Sequence, residues 1–161
     1  MIRETMTVAL VLVVLASCAD PAGESADGTD AVSTRQAIGD YEQVTLGDVR
    51  LWAHGIPGDG SGEGAIVSGT LGLDVEGSCL FLERDGQRFP VVWPHGTELL
   101  DDDPVRIGLS NGPEVTVGMQ LEGGGGSGQA ALYPFGIPDS CVSSTGEVAR
   151  FNQQSPIQAS G

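Results

Sequence analysis

Two histidines, three cysteines and a run of aspartates are the side chains of this 161-residue sequence with the most chemistry to offer. His95 stands in Trp93-Pro94-His95-Gly96, a few positions before Asp101-Asp102-Asp103. An imidazole beside a carboxylate is the minimum for general-base catalysis. A hydrolase of this kind also needs a nucleophile on a sharp elbow such as G-x-S-x-G. Gly60-Ser61-Gly62 and Gly126-Ser127-Gly128 are shorter than that pattern. His95 therefore reads first as a turn histidine, and Trp93 as a continuation of the Phe89 and Val91 face. Both are retained as candidate ligand-binding residues, with no residue assigned as catalytic. The alternative that stays open is a cell-envelope hydrolase or metal-dependent enzyme using His95 with Asp101 or Asp103.

The metal and phosphate motifs are incomplete. Asp59-Gly-Ser-Gly-Glu-Gly64 matches the first half of an EF-hand loop. Position twelve is Thr70, where that loop requires a bidentate Glu. The aspartates at 101–103 cannot all face one ion on an extended chain, because alternate side chains diverge. They read as a solvated turn before Pro104. Gly123 to Gly126, with Ser127 and Gly128, lacks the lysine and following helix of a phosphate loop. It reads as a flexible loop that could border a ligand site. No metal and no cofactor are expected.

The elements that would position these residues are strands. Val67, Gly69, Leu71, Leu73 and Val75 alternate with polar or small residues, as do Val115, Val117, Met119 and Leu121. A period of two with one apolar face means a half-buried strand. Cys79–Arg84 and Gln87–Trp93 flank Asp85-Gly86, a strong hairpin signal. Asn111-Gly112 marks a second hairpin, joining Val105–Leu109 to Val115–Leu121. Weaker strands are expected over Val44–Trp52 and Glu147–Phe151. Nothing beyond the N-terminal segment shows a helical period. The expectation is an all-β domain over 44–151, a small partly open barrel of OB-like type or a β-sandwich.

Charge narrows the partners. Lys plus Arg number 7 against 22 acidic residues, a formal charge of −15, and all the basic residues are arginine. Such a chain repels phosphate backbones, so nucleic acid is not an expected partner. It does not adhere to anionic lipid by charge either, so membrane attachment needs a lipid.

The N-terminus supplies one. An apolar run from Met6 ends in Leu15-Ala16-Ser17-Cys18, which resembles a bacterial lipoprotein lipobox. The run is too short to span about 30 Å of hydrocarbon as a helix, and it has the profile of an export signal. The resemblance implies a signal peptide over 1–17, lipidation of Cys18, and anchoring at the extracytoplasmic side of the cell membrane. Residues 18–43 then read as lipidated Cys18 and a disordered acidic tether; residues 152–161 read as a disordered tail.

With Cys18 used by the anchor, Cys79 and Cys141 remain as a pair in an oxidising compartment. A disulfide closing that loop stabilises a domain by about 4 kcal/mol in the chain-entropy model. Two free thiols or a metal pair are the alternatives, and the lack of a histidine ligand pattern counts against zinc. Ser78-Cys-Leu-Phe-Leu82, Pro90-Val-Val-Trp-Pro-His-Gly-Thr97 and the Val115–Gly126 segment resemble small uncharacterised actinobacterial lipoproteins. That resemblance covers about residues 65–142 and implies location and fold. The functional expectation is a membrane-anchored envelope lipoprotein, a non-enzymatic module binding an envelope protein or a small ligand.

Overall fold

The computed structural model describes residues 32–59, 64–76, 78–110, 112–142 and 144–161. The signal segment 1–17, Cys18 and the tether up to residue 31 lie outside the described residues, as do Ser61 and Asn111. Twelve strands follow in chain order. They are β1 (Thr34–Ile38), β2 (Tyr41–Leu46), β3 (Val49–His54), β4 (Ala65–Asp74), β5 (Cys79–Arg84), β6 (Gln87–Trp93), β7 (Glu98–Asp102), β8 (Val105–Gly108), β9 (Glu114–Thr116), β10 (Gln120–Gln129), β11 (Glu147–Phe151) and β12 (Gln158–Ser160). Two short 3-10 turns, Ala130–Leu132 and Asp139–Cys141, lie between β10 and β11. Among the described residues no helix is long and apolar enough to cross a membrane.

Nine strands make one mixed sheet in the order β1-β2-β3-β5-β4-β10-β11-β6, with β12 also on β10. Strand β6 pairs with β5 and β3 as well, so the path turns back on itself. The strands β4, β5, β6, β11 and β10 pair in turn and thereby form a partly open barrel. The period-two pattern explains its inside. Val67, Leu71, Leu80, Leu82, Phe89, Val91, Leu121 and Phe151 point inward and share one core with Trp93 and Ile157. The Asp85-Gly86 hairpin joins β5 to β6 as expected, with both residues at positive φ (53° and 72°), the geometry of a I′ turn.

A second sheet, β7-β8-β9, leaves the barrel after β6 and returns to it at β10. Its inward residues Leu99, Val105, Ile107 and Val115 belong to the barrel core. A separate apolar layer covers the outer surface of β3, β6 and β11. There Trp52, Val92 and Val148 meet Tyr133, Phe135 and the bonded pair Cys79–Cys141. The Cα atoms of that pair lie 6.3 Å apart, within normal disulfide reach. The segment between β10 and β11 therefore crosses the barrel as a pinned strap.

Several boundaries differ from the sequence expectation. Residues 34–43, read as tether, contain β1 and the start of β2. Strand β1 is an exposed edge strand, so it shows no apolar alternation, yet Ile38 and Tyr41 pack on the outer layer. The Val44–Trp52 segment is not one strand but two, turning at Gly47 with φ 54°. Val115–Leu121 is likewise split, by a turn at Val117-Gly118. The tail from 152 is docked: Ile157 is 1% exposed in the barrel core, and β12 pairs with β10. The largest correction concerns Gly123–Gly128. These residues are not a loop but the middle of β10, where Gly123–Gly125 pair with β4 and Gly125–Gly128 pair with β11.

Candidate functional site

The barrel wall is incomplete at one place, and the ladder registers show why. Alternation along β4 sends the N–H and C=O of successive residues to opposite sides. Leu71 donates to the Met119 carbonyl and accepts from Gly118 N–H, so Leu71, Gly69 and Val67 aim at β10. Thr70, Ser68 and Ile66 consequently aim at β5. The β4–β5 ladder stops at Thr70↔Glu83, because β5 turns at Asp85-Gly86. Strand β4 runs on to Ala65 without it. On the far side, the β11–β6 ladder holds only Ala149↔Val91 and Arg150↔Val92. The β5–β6 hairpin tip thus stands off from both β4 and β11.

A cavity of ≈ 320 Å³ fills this gap, within the size range of small-ligand sites. Val67, Leu82, Phe89 and Ala149 give it an apolar floor continuous with the barrel core. Ser68 and Ser127 lie on its walls. Among the described residues its one lining cation is Arg84, whose guanidinium sits 4.9 Å from the Phe89 ring centroid. That stacking is a cation–π contact, and among the described residues Arg84 has no ion pair. Among the described residues its one lining anion is Glu147, which accepts a hydrogen bond from the Thr145 hydroxyl at 3.4 Å. Among the described residues no backbone partner takes up the Ile66 and Ser68 groups that face the gap. Ile66 itself is 70% exposed at the rim.

The residues singled out from sequence fall elsewhere. Trp93 is fully buried and packs on Phe151 at a ring distance of 5.8 Å, so it serves the core. His95 is half-buried, with Nδ1 3.1 Å from the His54 carbonyl oxygen. Asp101 is held by other contacts: its carboxylate accepts from the backbone of Asp102 and Asp103 and pairs with Arg106. The Asp103 backbone N–H foremost, with Arg106, holds the Asp101 carboxyl below its ordinary range. No contact joins His95 to Asp101 or Asp103 among the described residues. Asp103 is an exposed turn residue before Pro104, as the sequence implies. Asp74 lies beside the cysteines, 4.0 Å from Cys141 Sγ, but both thiols are consumed by the disulfide.

A second polar feature lies under the strap. His54, at the end of β3, is 1% exposed, and among the described residues no partner lies within hydrogen-bond distance of its ring nitrogens. Its Nδ1 is 3.6 Å from the Asp59 carboxylate, and Tyr41 packs against its ring. Burial lowers the His54 pKa, and the charges of Arg150 and His95 lower it further against the opposing pull of Asp59. Burial also raises the Tyr133 phenol above its usual value. Tyr41, Trp52, Tyr133 and Phe135 close around one another with ring centroids 5.1 to 5.4 Å apart. This aromatic nest seats the strap on β2 and β3.

Sequence reasoning missed the cavity because it arises from unequal strand lengths. The one signal available was Asp85-Gly86, which fixes where β5 must end. The extent of β4 beyond that point depends on its pairing with the glycine run of β10. Compared with protein-family models, curated proteins and solved structures, the chain finds no match.

Proposed function

We propose that this chain is a membrane-anchored lipoprotein of the cell envelope whose β domain is a non-enzymatic binding module. The observation that carries the binding role is the gap in the barrel wall. Among the described residues it joins an apolar floor to one cation, one anion and a strand edge that β5 leaves unpaired, a combination suited to holding a ligand.

The anchoring half rests on Leu15-Ala16-Ser17-Cys18 at the end of an apolar run. The pairing of Cys79 with Cys141 agrees with an oxidising compartment. The stretch from Cys18 to Thr34 would link the lipid to the first strand. Replacing Cys18 with Ala is expected to abolish labelling by radioactive palmitate and to leave an unprocessed precursor. If the Cys18→Ala chain is processed to the same mature mass as the wild type, the lipoprotein reading fails.

A further inference from the structure

We infer that the gap in the barrel wall binds the C-terminal end of an extended polypeptide by strand addition to β4. The inference rests on the binding-module reading and names the ligand class for the same cavity.

Three observations converge. First, Ile66 and Ser68 point their backbone N–H and C=O into the gap, where β5 no longer pairs with them. Unpaired strand groups are satisfied best by another extended backbone, the chemistry of β-strand addition. A sugar or a flat aromatic ligand would leave that repeat of donors and acceptors poorly matched. Second, the floor formed by Val67, Leu82 and Phe89 is apolar and opens at this edge. Side chains of an added strand alternate faces, so one in two would turn towards that floor. Third, Arg84 closes the hairpin side of the cavity as the only lining cation among the described residues. Stacking on Phe89 restrains the guanidinium while its N–H edges stay open to an acceptor. A planar guanidinium matches a carboxylate bidentately.

The strand edge is short. From Ala65 to Ser68 it accommodates about three or four peptide residues. A terminal carboxylate at Arg84 sets the register, and the last side chain lies over the apolar floor. Glu147 on β11 disfavours acidic residues upstream, as does the formal charge of −15. The ligand is therefore a neutral or basic peptide end with a terminal apolar residue.

The test uses the full-length chain in detergent and fluorescently labelled pentapeptides ending in leucine, valine, isoleucine or phenylalanine. Each peptide is prepared with a free carboxylate and as the C-terminal amide. The free acids are expected to bind, and amidation or Arg84→Gln each to weaken binding about tenfold or more, equivalent to about 1.4 kcal/mol. Saturation with the tightest acid should slow amide exchange at Ile66 and Ser68. Acids and amides binding equally, no binding up to about 1 mM, or unchanged exchange at both amides would each overturn the inference. A fragment library screened by amide chemical shift separates the two readings. If other fragments shift Val67, Leu82 and Phe89 while the peptides fail, the peptide assignment falls and the binding module stands. If nothing perturbs these residues, both fall.

Discussion

A single methyl group at Gly125 would overlap the Arg150 carbonyl oxygen and press on Val67. The neighbouring glycines are similarly crowded: a Cβ at Gly123 would meet Phe151 at 3.0 Å, and one at Gly128 would meet the Tyr133 hydroxyl at 2.6 Å. Gly125 is thus required by close approach of the β11 backbone, while Gly123 and Gly128 sit tight against the Phe151 and Tyr133 side chains. Gly125→Ala should cost about 3 kcal/mol, the upper end of the usual overpacking cost, because the atom it meets is backbone. Gly64→Ala, where a Cβ meets nothing within 4 Å, should leave the melting temperature nearly unchanged. Parallel thermal melts of the two variants check this. His54 gives a pH prediction at the same scale. Its folded pKa is depressed by burial, so the unfolded chain binds a proton more readily. The stability contributed by neutral His54 is complete above about pH 6.5 and is lost as pH falls below it towards the folded value. Melting temperature should drop between pH 7 and pH 5, by about 4 °C for each kcal/mol lost. A His54→Leu variant should show a shallower drop; equal slopes would remove the role given to His54.

The elements were legible where sequence pattern and burial coincide. Strands β4, β5, β6 and β11 carry alternating or continuous apolar residues, and their positions follow from the sequence. Strand β1 was not legible, because an edge strand with exposed side chains has no apolar face to show. Nor was β12, which docks through Ile157 in the core, Ala159 packed against it and a short ladder with β10. The glycine run misled for a physical reason: glycine is weak in isolated strands, and only its neighbours reveal why it is needed. The cavity was hidden for the same reason, since a mismatch in strand length is a property of pairs. The strap from Ala130 to Cys141 belongs to this scale too. Tyr133 and Phe135 seat it on Trp52 and Tyr41, and Cys141 pins its end to Cys79. Removing the bond by Cys79→Ser with Cys141→Ser should destabilise the domain by about 4 kcal/mol, given the loop of 62 residues. Limited proteolysis should then cut first within 130–142, and β10 should resist until global unfolding. First cleavage within 123–129 would contradict the assignment of that run to the sheet.

At the scale of the whole molecule, the chain builds an acidic barrel with one open seam and closes the remainder with extra elements. The β7-β8-β9 sheet adds to the core, the strap covers the outer surface, and β12 fills the β10 edge beyond which β11 begins. The seam between β4 and the β5–β6 hairpin is the exception, and the proposed function depends on it. Hydrogen exchange along β4 in the unliganded protein tests it most directly. The amides of Val67 and Gly69 face β10, and those of Thr70 and Gly72 face β5, so all four should be protected. The amides of Ile66 and Ser68 should exchange about a hundredfold faster than these neighbours, a difference of about 2.7 kcal/mol in local protection. Protection at Ile66 and Ser68 equal to that at Thr70 and Gly72 would mean the wall is closed, and the binding site proposed here does not exist.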